Sequence, residues 1–359
     1  MSVIYIIALL VLLISIYYYK KKSLAVICLI FLYLLGAMRG IEVGTDTLGY
    51  ADDYNFIIQV RDGNYILHTF EKGFIVLIYL FKKYVTHEYL PFVTFMFTVF
   101  FAGVMRLLSY TKVPYALGLY FLFTLGFYFG AYNVMRQMMA IGIILLFVNL
   151  LYAKKYLLYA FIIVISSLSI HNSSLIMLLL IPIHYYSLKP KTINKLWIYG
   201  AIASSFLIFF ISKNFLQSLL LPIANLLYVR AVGYIEGEMG NTNLGYIYMG
   251  AQSLFAMFVV YYCNENRQYR FEYYAYIVGI IIFNLMSSLS VVGTRLASPF
   301  MIFSIILFSK QVIDKSMTRT KREILITGIF VFSLFLFFYR FAYNNYGQVN
   351  PYYWEWRKI

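Results

Sequence analysis

Residues 73–84 read GFIVLIYLFKKY, an apolar stretch that ends in Lys82-Lys83-Tyr84 and is preceded by Glu71-Lys72. As a helix it would rise roughly 18 Å, about two-thirds of the ~30 Å hydrocarbon core of a bilayer. Whether it crosses decides the side on which every later element lies. A segment this short is read as an interfacial or re-entrant helix rather than a span, and the charges along the chain test that placement.

Working outward from it, apolar runs of crossing length recur at 2–19, 23–37, 91–108, 114–131, 134–152, 156–169, 173–186, 196–212, 244–262, 273–291, 296–309 and 324–340. By the length criterion this is about twelve crossings. The chain of 359 residues is 62% hydrophobic and 12% charged, with a mean hydropathy of +0.77. An ordinary soluble domain carries about 25% charged residues, so a water-soluble enzyme is excluded. The expectation is an all-α polytopic integral membrane protein, a single transmembrane domain over 1–359. The run 2–19 has no basic residue before it and no small-residue cleavage site, and Lys20-Lys21-Lys22 follow it, so it reads as a first span and not a signal peptide. No internal repeat is evident, which weighs against transporter folds built from inverted repeats.

With the N-terminus outside and 73–84 not crossing, the inner side receives Lys20, Lys21, Lys22, Arg106, Lys112, Lys154, Lys155, Lys189, Lys191, Lys195, Arg267, Arg270, Lys310, Lys315, Arg319, Lys321 and Arg322. The acids beside them are Glu265, Glu272, Asp314 and Glu323. That asymmetry is the positive-inside pattern. Were 73–84 a full crossing, Arg106, Lys112, Lys154-Lys155 and the cluster at 310–322 would all face outward. The outer loops are then 38–90 and 213–243, with an outer tail at 341–359. Trp197 at the inner edge and Trp354 and Trp356 beyond the outer edge fit aromatic anchoring. The net charge of +15 is thereby a topology signal, not the footprint of nucleic acid. Cys28 and Cys263 make neither a disulfide framework nor a zinc cluster, and the four histidines are scattered, so no metal or cofactor is expected.

The outer ends carry a different inventory: Arg39, Asp46, Asp52 and Asp53; Asn133, Arg136 and Gln137; His171 and Asn172; Arg295; Arg340, Asn344 and Asn345. An arginine costs about 2.5–3.5 kcal/mol at the centre of a membrane helix and less toward its ends. Each one alone is accounted for by snorkelling. Together they oppose the topology bias, and the planar guanidinium fork binds phosphate oxygens in bidentate fashion. A lipid-linked pyrophosphate at the outer face would require such a cluster. His171 sits in SIHNSS, which reads either as a hairpin apex with Asn172 and Ser173 as caps or as a base that titrates near neutrality. Asp46 in GTDT is either a turn residue satisfying its own backbone or a carboxylate presented at a site. Glu236 and Glu238 read as solvated loop residues. Tyr50, Tyr54, Tyr65, Tyr132 and Tyr353 suit sugar faces, but interfacial anchoring accounts for them equally well, and none is assigned a role.

The chain resembles the EpsG-type polysaccharide polymerases, relatives of the Wzy class of O-antigen and capsule polymerases. The resemblance rests on Arg39 followed by Val43-Gly44-Thr45-Asp46-Thr47 and Tyr50; Phe70-Glu71-Lys72-Gly73-Phe74; Met135-Arg136-Gln137 with Ala140; Lys154-Lys155-Tyr156; and His171-Asn172-Ser173-Ser174-Leu175. Arg295 and Pro351-Tyr352-Tyr353 agree more loosely. Where the family often has Glu-Pro-Gly, this chain has Glu71-Lys72-Gly73. The resemblance implies a GT-C-like glycosyltransferase of the bacterial cytoplasmic membrane. It would join oligosaccharide repeat units carried on undecaprenyl pyrophosphate at the outer face, after a flippase delivers them and alongside a chain-length regulator. Arg136 and Arg295, with Arg39 and Arg340 as further candidates, would bind pyrophosphate. Gln137 and Glu71 would bind substrate, and His171 or Asp46 would orient or deprotonate the acceptor hydroxyl. The product, whether O-antigen, capsule or exopolysaccharide, is not legible.

Two other classes are weighed against this one. A transporter or flippase of a lipid-linked glycan would also want arginines, but lining a path through the bilayer, and the inner halves of the spans carry almost no charge. A membrane O-acyltransferase would use a histidine reached by an acyl donor from the cytoplasm, whereas His171 falls on the outer side.

Overall fold

An apolar run in hydrocarbon must satisfy its backbone amides within its own segment, and the runs are largely helical over their described residues, with breaks at Leu125–Gly126, Phe147 and Ile302–Phe303 inside the runs 114–131, 134–152 and 296–309. The computed structural model describes residues 1–19, 21–56, 70–190, 193–208, 246–263, 268–287 and 295–353. The loop 213–243, with Glu236 and Glu238, and also Tyr65, Trp354 and Trp356 lie outside the described residues. In chain order come α1 (Val3–Tyr17), α2 (Lys22–Ala37), α3 (Thr47–Phe56), α4 (Lys72–Tyr84), α5 (Tyr89–Tyr110), α6 (Tyr115–Thr124), α7 (Phe127–Asn133), α8 (Met135–Leu146), α9 (Val148–Tyr152) and α10 (Tyr156–Ser169). A 3-10 segment (Asn172–Leu179) then leads into α11 (Leu180–Ser187), followed by α12 (Lys195–Ile208), α13 (Tyr246–Tyr262) and α14 (Arg270–Ser287). A 3-10 turn (Arg295–Ala297), α15 (Ser298–Met301), α16 (Ser304–Ile313) and α17 (Arg319–Phe337) complete it, and α17 continues as a π-helix over Phe338–Tyr343.

Among the described residues, three stretches are long and apolar enough to cross a membrane unbroken: Tyr89–Tyr110, Arg295–Ile313 and Arg319–Tyr343. A fourth counts if α6 and α7, bent by 54°, form one span. The bend falls at Gly126, whose φ of 89° lies in the left-handed region that an L side chain seldom adopts. The region read as the outer loop 38–90 contains two helices. One, α4, covers the deciding stretch with 13 residues. Phe74, Ile78 and Lys82 are buried on one face while Val76, Tyr79, Leu80 and Tyr84 are exposed on the other. It is a helix that buries one face, leaves a largely apolar face uncovered, and is too short to cross.

The described residues fall into two compact units, Met1–Leu178 with Phe330–Ile359, and Leu179–Ile329. In the first, α5 and α8 meet backbone to backbone at Gly103 and Gly142, where a Cβ on Gly103 would lie 2.3 Å from the Gly142 carbonyl oxygen. Such small-residue contacts are how membrane helices gain dispersion energy when lipid offers no hydrophobic drive. One end of this unit gathers six segments. Ser2 N donates to Asn350 Oδ1 at 2.9 Å and Gly40 N to the Tyr353 carbonyl at 2.8 Å. Thr45 N donates to Asn133 Oδ1 at 2.7 Å and Asn172 N to Glu71 Oε1 at 2.9 Å. Elsewhere in the unit, the helices end at Lys112 and Lys154, both at positive φ, and the Tyr110 and Tyr152 rings approach to 5.3 Å. Lys155 N reaches back to the Leu150 carbonyl and Lys154 N to that of Leu151, a Schellman closure. A lysine at that position sets a cation at the negative end of the helix dipole.

In the second unit, the described residues of segments 187–195, 261–272 and 310–322 gather together. Arg270 Nη1 donates to the Lys189 carbonyl at 2.7 Å, and Lys195 Nζ to that of Tyr261 at 3.2 Å. Lys310 Nζ reaches Gln268 O at 3.0 Å and Glu272 Oε1 at 2.9 Å, while Arg322 Nη2 reaches Val312 O at 2.7 Å. All three are segments that the charge pattern puts on one side. Inside the unit, the Asn284 amide nitrogen bonds Ser205 and Ser253 hydroxyls at 3.0 Å each, tying α14 to α12 and α13.

Candidate functional site

The site begins with a glycine. A Cβ on Gly73 would lie 2.5 Å from the Ser169 side chain and 2.6 Å from its Cα, so only glycine lets the first turn of α4 press against the end of α10. That contact puts Glu71 beside the 170–173 break. Glu71 precedes α4 with extended geometry, φ −62° and ψ 139°. This is the conformation that a following proline would impose, so Lys72 at the first helical position starts the same turn without the proline common in the resembled family.

Arg136, in the first turn of α8, meets Glu71 there. Its Nη1 donates to Glu71 Oε2 at 2.5 Å and its Nε to the Tyr50 hydroxyl at 3.1 Å. The guanidinium carbon stands 4.2 Å from the Phe70 ring centroid. The pair is mostly buried, with side-chain exposures of 11% and 7%. The second Glu71 oxygen accepts the Asn172 amide at 2.9 Å, so one carboxylate ties α4, α8 and the loop carrying His171 together.

Within that loop, the Ser173 hydroxyl lies 2.7 Å from His171 Nδ1, and Ser173 N donates to the same nitrogen at 3.3 Å. The Ser174 hydroxyl donates to the His171 carbonyl and pairs with Ser167. The break is both a capped apex and a held imidazole, so the two sequence readings are compatible.

Asp46 directly precedes α3 and its carbonyl accepts the Tyr50 amide at 3.0 Å, while Thr45 Oγ1 donates to its Oδ1 at 3.0 Å. The turn before it is pinned by Asn133 Oδ1, which accepts both Thr45 N and Thr45 Oγ1, at 2.7 and 3.1 Å. Gly44, at φ 108°, is lodged against the Tyr132 carbonyl, where a Cβ would come within 2.9 Å. Asp53, further along α3, is pushed above the usual carboxylate range by burial, with Arg136 opposing that shift and Asp52 adding to it. Among the described residues no group of three or more His, Cys, Asp or Glu side chains gathers where it could hold a metal ion.

Arg39 and Arg340 stand in other surroundings. Arg39 is 1% exposed, donates to the Gly36 carbonyl at 2.8 Å and to Met135 Sδ at 3.1 Å, and stacks on Tyr132 at 4.4 Å. It sits beneath the residue that precedes Arg136. Arg340 lies in the π-helical stretch, with Nη1 3.4 Å from the Leu125 carbonyl at the α6–α7 break and its guanidinium 4.7 Å from the Tyr346 ring. Gln137 is buried in α8, one residue past Arg136. Arg295 opens the 3-10 turn Arg295–Ala297 in the second unit.

Several participants carried no role in the sequence reading. Tyr50, Phe70 and the Asn172 backbone surround the Arg136–Glu71 pair, and Asn133 holds the turn before Asp46. Tyr54 and Tyr132 are fully buried, which sets them apart from interfacial anchors. A signal for Tyr50 existed in its four-residue spacing from Asp46, one helical turn. Nothing local marked the Asn172 amide.

No curated protein and no solved structure matches the chain. The model of the EpsG family matches residues 23–354. That span takes in Arg39, the Gly44–Thr47 turn, Glu71, Arg136, His171, Arg295 and Arg340, so each candidate residue lies within the matched region, and the chain belongs to the EpsG family.

Proposed function

We propose that this membrane protein is a polysaccharide polymerase that joins undecaprenyl-pyrophosphate-linked oligosaccharide units at the outer face of the bacterial cytoplasmic membrane. EpsG membership supports the polymerase class. The observation that carries the reading is Arg136: a guanidinium fixed by Tyr50, Phe70 and Glu71, at the end of its unit where Ser2, Asn350, Tyr353 and the His171 loop meet. About twelve crossings in a GT-C-like arrangement remain part of this proposal, as does the outward orientation, which rests on the charge asymmetry.

In the reaction a hydroxyl of one lipid-linked unit attacks the anomeric carbon of another and pyrophosphate departs. Arg136 is the proposed ligand of the departing charge, which a guanidinium already in place stabilises as it develops, and the sequence reading adds Arg295 as a further proposed ligand. His171 and Asp46 orient the acceptor, and Gln137 supports the first turn of α8. Arg39, sealed beneath Met135, and Arg340, at the α6–α7 break, hold the elements that present the site. The tested form is the purified protein in proteoliposomes supplied with lipid-linked repeat units from its own host. A ladder of polymer with release of undecaprenyl pyrophosphate is the expected result. Movement of intact lipid-linked units across the bilayer without any chain growth would overturn the proposal in favour of a flippase.

A further inference from the structure

The pairing of Glu71 with Arg136 raises a chemical question, because the cation proposed to bind the leaving group is already engaged by a carboxylate. Three observations bear on it. Both Glu71 oxygens are occupied, one by Arg136 Nη1 and the other by the Asn172 amide. Arg136 is held independently by Tyr50 and Phe70, so its position does not depend on Glu71 alone. His171 accepts a backbone N–H at Nδ1, and a backbone N–H can only donate. Nδ1 is therefore the lone-pair nitrogen, and a neutral ring carries its proton on Nε2. With its proton on Nε2 and Nδ1 engaged by Ser173, the ring is not placed to take a proton from the acceptor.

We propose that Glu71 is the base of the transfer, and that the donor's pyrophosphate frees it by drawing Arg136 away. This rests on the polymerase reading above. A pyrophosphate carries two or three negative charges, so it outcompetes a single carboxylate for the same guanidinium. Once Nη1 turns to phosphate, Glu71 Oε2 loses its cation, while Oε1 stays fixed by Asn172 beside the imidazole. The acceptor hydroxyl gives its proton to Oε2, and the oxygen's electron pair forms the new bond to the anomeric carbon. The old bond from that carbon to the pyrophosphate oxygen breaks with its pair, and Arg136 takes up the charge. No oxidant or reductant enters. When the product and pyrophosphate leave, Arg136 returns to Glu71 and the proton passes to water. The exchange opens Glu71 Oε2 to the acceptor only when the donor is bound, and in the empty site Arg136 covers that oxygen.

The test compares wild type, Glu71→Gln and Glu71→Asp in nanodiscs, with two readouts: binding of a sugar-free polyprenyl pyrophosphate, and the single-turnover rate with a lipid-linked repeat unit. Gln keeps the size and an acceptor oxygen, so the loop contact survives. The expected result is that Glu71→Gln binds the pyrophosphate lipid several-fold more tightly than wild type while transfer falls by about 10²–10⁴-fold, and that Glu71→Asp retains part of the rate. Glu71→Gln turning over within about tenfold of wild type overturns the assignment. So does a parallel loss of binding and rate, which would make Glu71 a prop for Arg136. Wild type binding the lipid no better than empty nanodiscs overturns the polymerase reading itself, a failure distinct from the other two.

Discussion

Replacing Gly73 with alanine places a methyl group 2.5 Å from the Ser169 side chain and 2.6 Å from its Cα, where ordinary contact begins near 3.4 Å. The start of α4 and the end of α10 must therefore part by about 0.9 Å, and the obstructing atoms include backbone that cannot rotate aside. Glu71 lies two residues before the glycine, so its 2.9 Å bond from Asn172 stretches to about 3.8 Å, past hydrogen-bonding reach. Overpacking of this kind costs about 1–3 kcal/mol of stability. Displacement of a positioned carboxylate by about 1 Å costs on the order of 10²-fold in rate. The control is Gly49→Ala in α3, where the added Cβ meets nothing within 4 Å. Relief of the glycine's backbone entropy there is worth about 0.5–1 kcal/mol in the opposite direction. Thermal unfolding of both variants in detergent, with polymer length from cells expressing each, reads both effects. A Gly73→Ala protein that melts with wild type and makes full-length polymer refutes the close-approach argument. Equal damage from Gly49→Ala would show that the effect is not specific to the α4–α10 contact.

Arg136→Ala and Arg295→Ala are expected to abolish polymer with the protein still in the membrane. Arg136→Lys restores little, because a lysine cannot keep both the Tyr50 bond and the fork; full polymer from Arg136→Ala would return that residue to snorkelling. A cysteine introduced at position 62 should react with an impermeant reagent in intact cells and one at 315 should not, and the reverse pattern would overturn the outward-facing site. Polymerisation should continue in EDTA. Loss in chelator that magnesium restores, mimicked by Asp46→Asn or Asp52→Asn, would place a metal on the acidic segment through oxygen ligands.

The sequence by itself determined the all-helical class and the short α4. Hydropathy adds residue by residue over a window, and a basic residue contributes to sidedness through its own position alone. The described residues of 187–195, 261–272 and 310–322, which the charge pattern groups, lie together in the second unit. It also singled out Glu71, Arg136 and His171 as unusual, because polar residues at the ends of apolar runs stand out without reference to any neighbour. Only the tertiary structure decided how those residues are used. The 65 positions between Glu71 and Arg136 and the 101 between Glu71 and Asn172 are closed by helix packing, and the packing depends on whether a glycine such as Gly73 or Gly103 lets two backbones touch. Arg39 and Arg136 are alike in sequence, each an arginine at the end of an apolar run. One is sealed on Tyr132 and Met135 and the other set against Glu71, since a long side chain takes its role from the partners that the fold brings within reach.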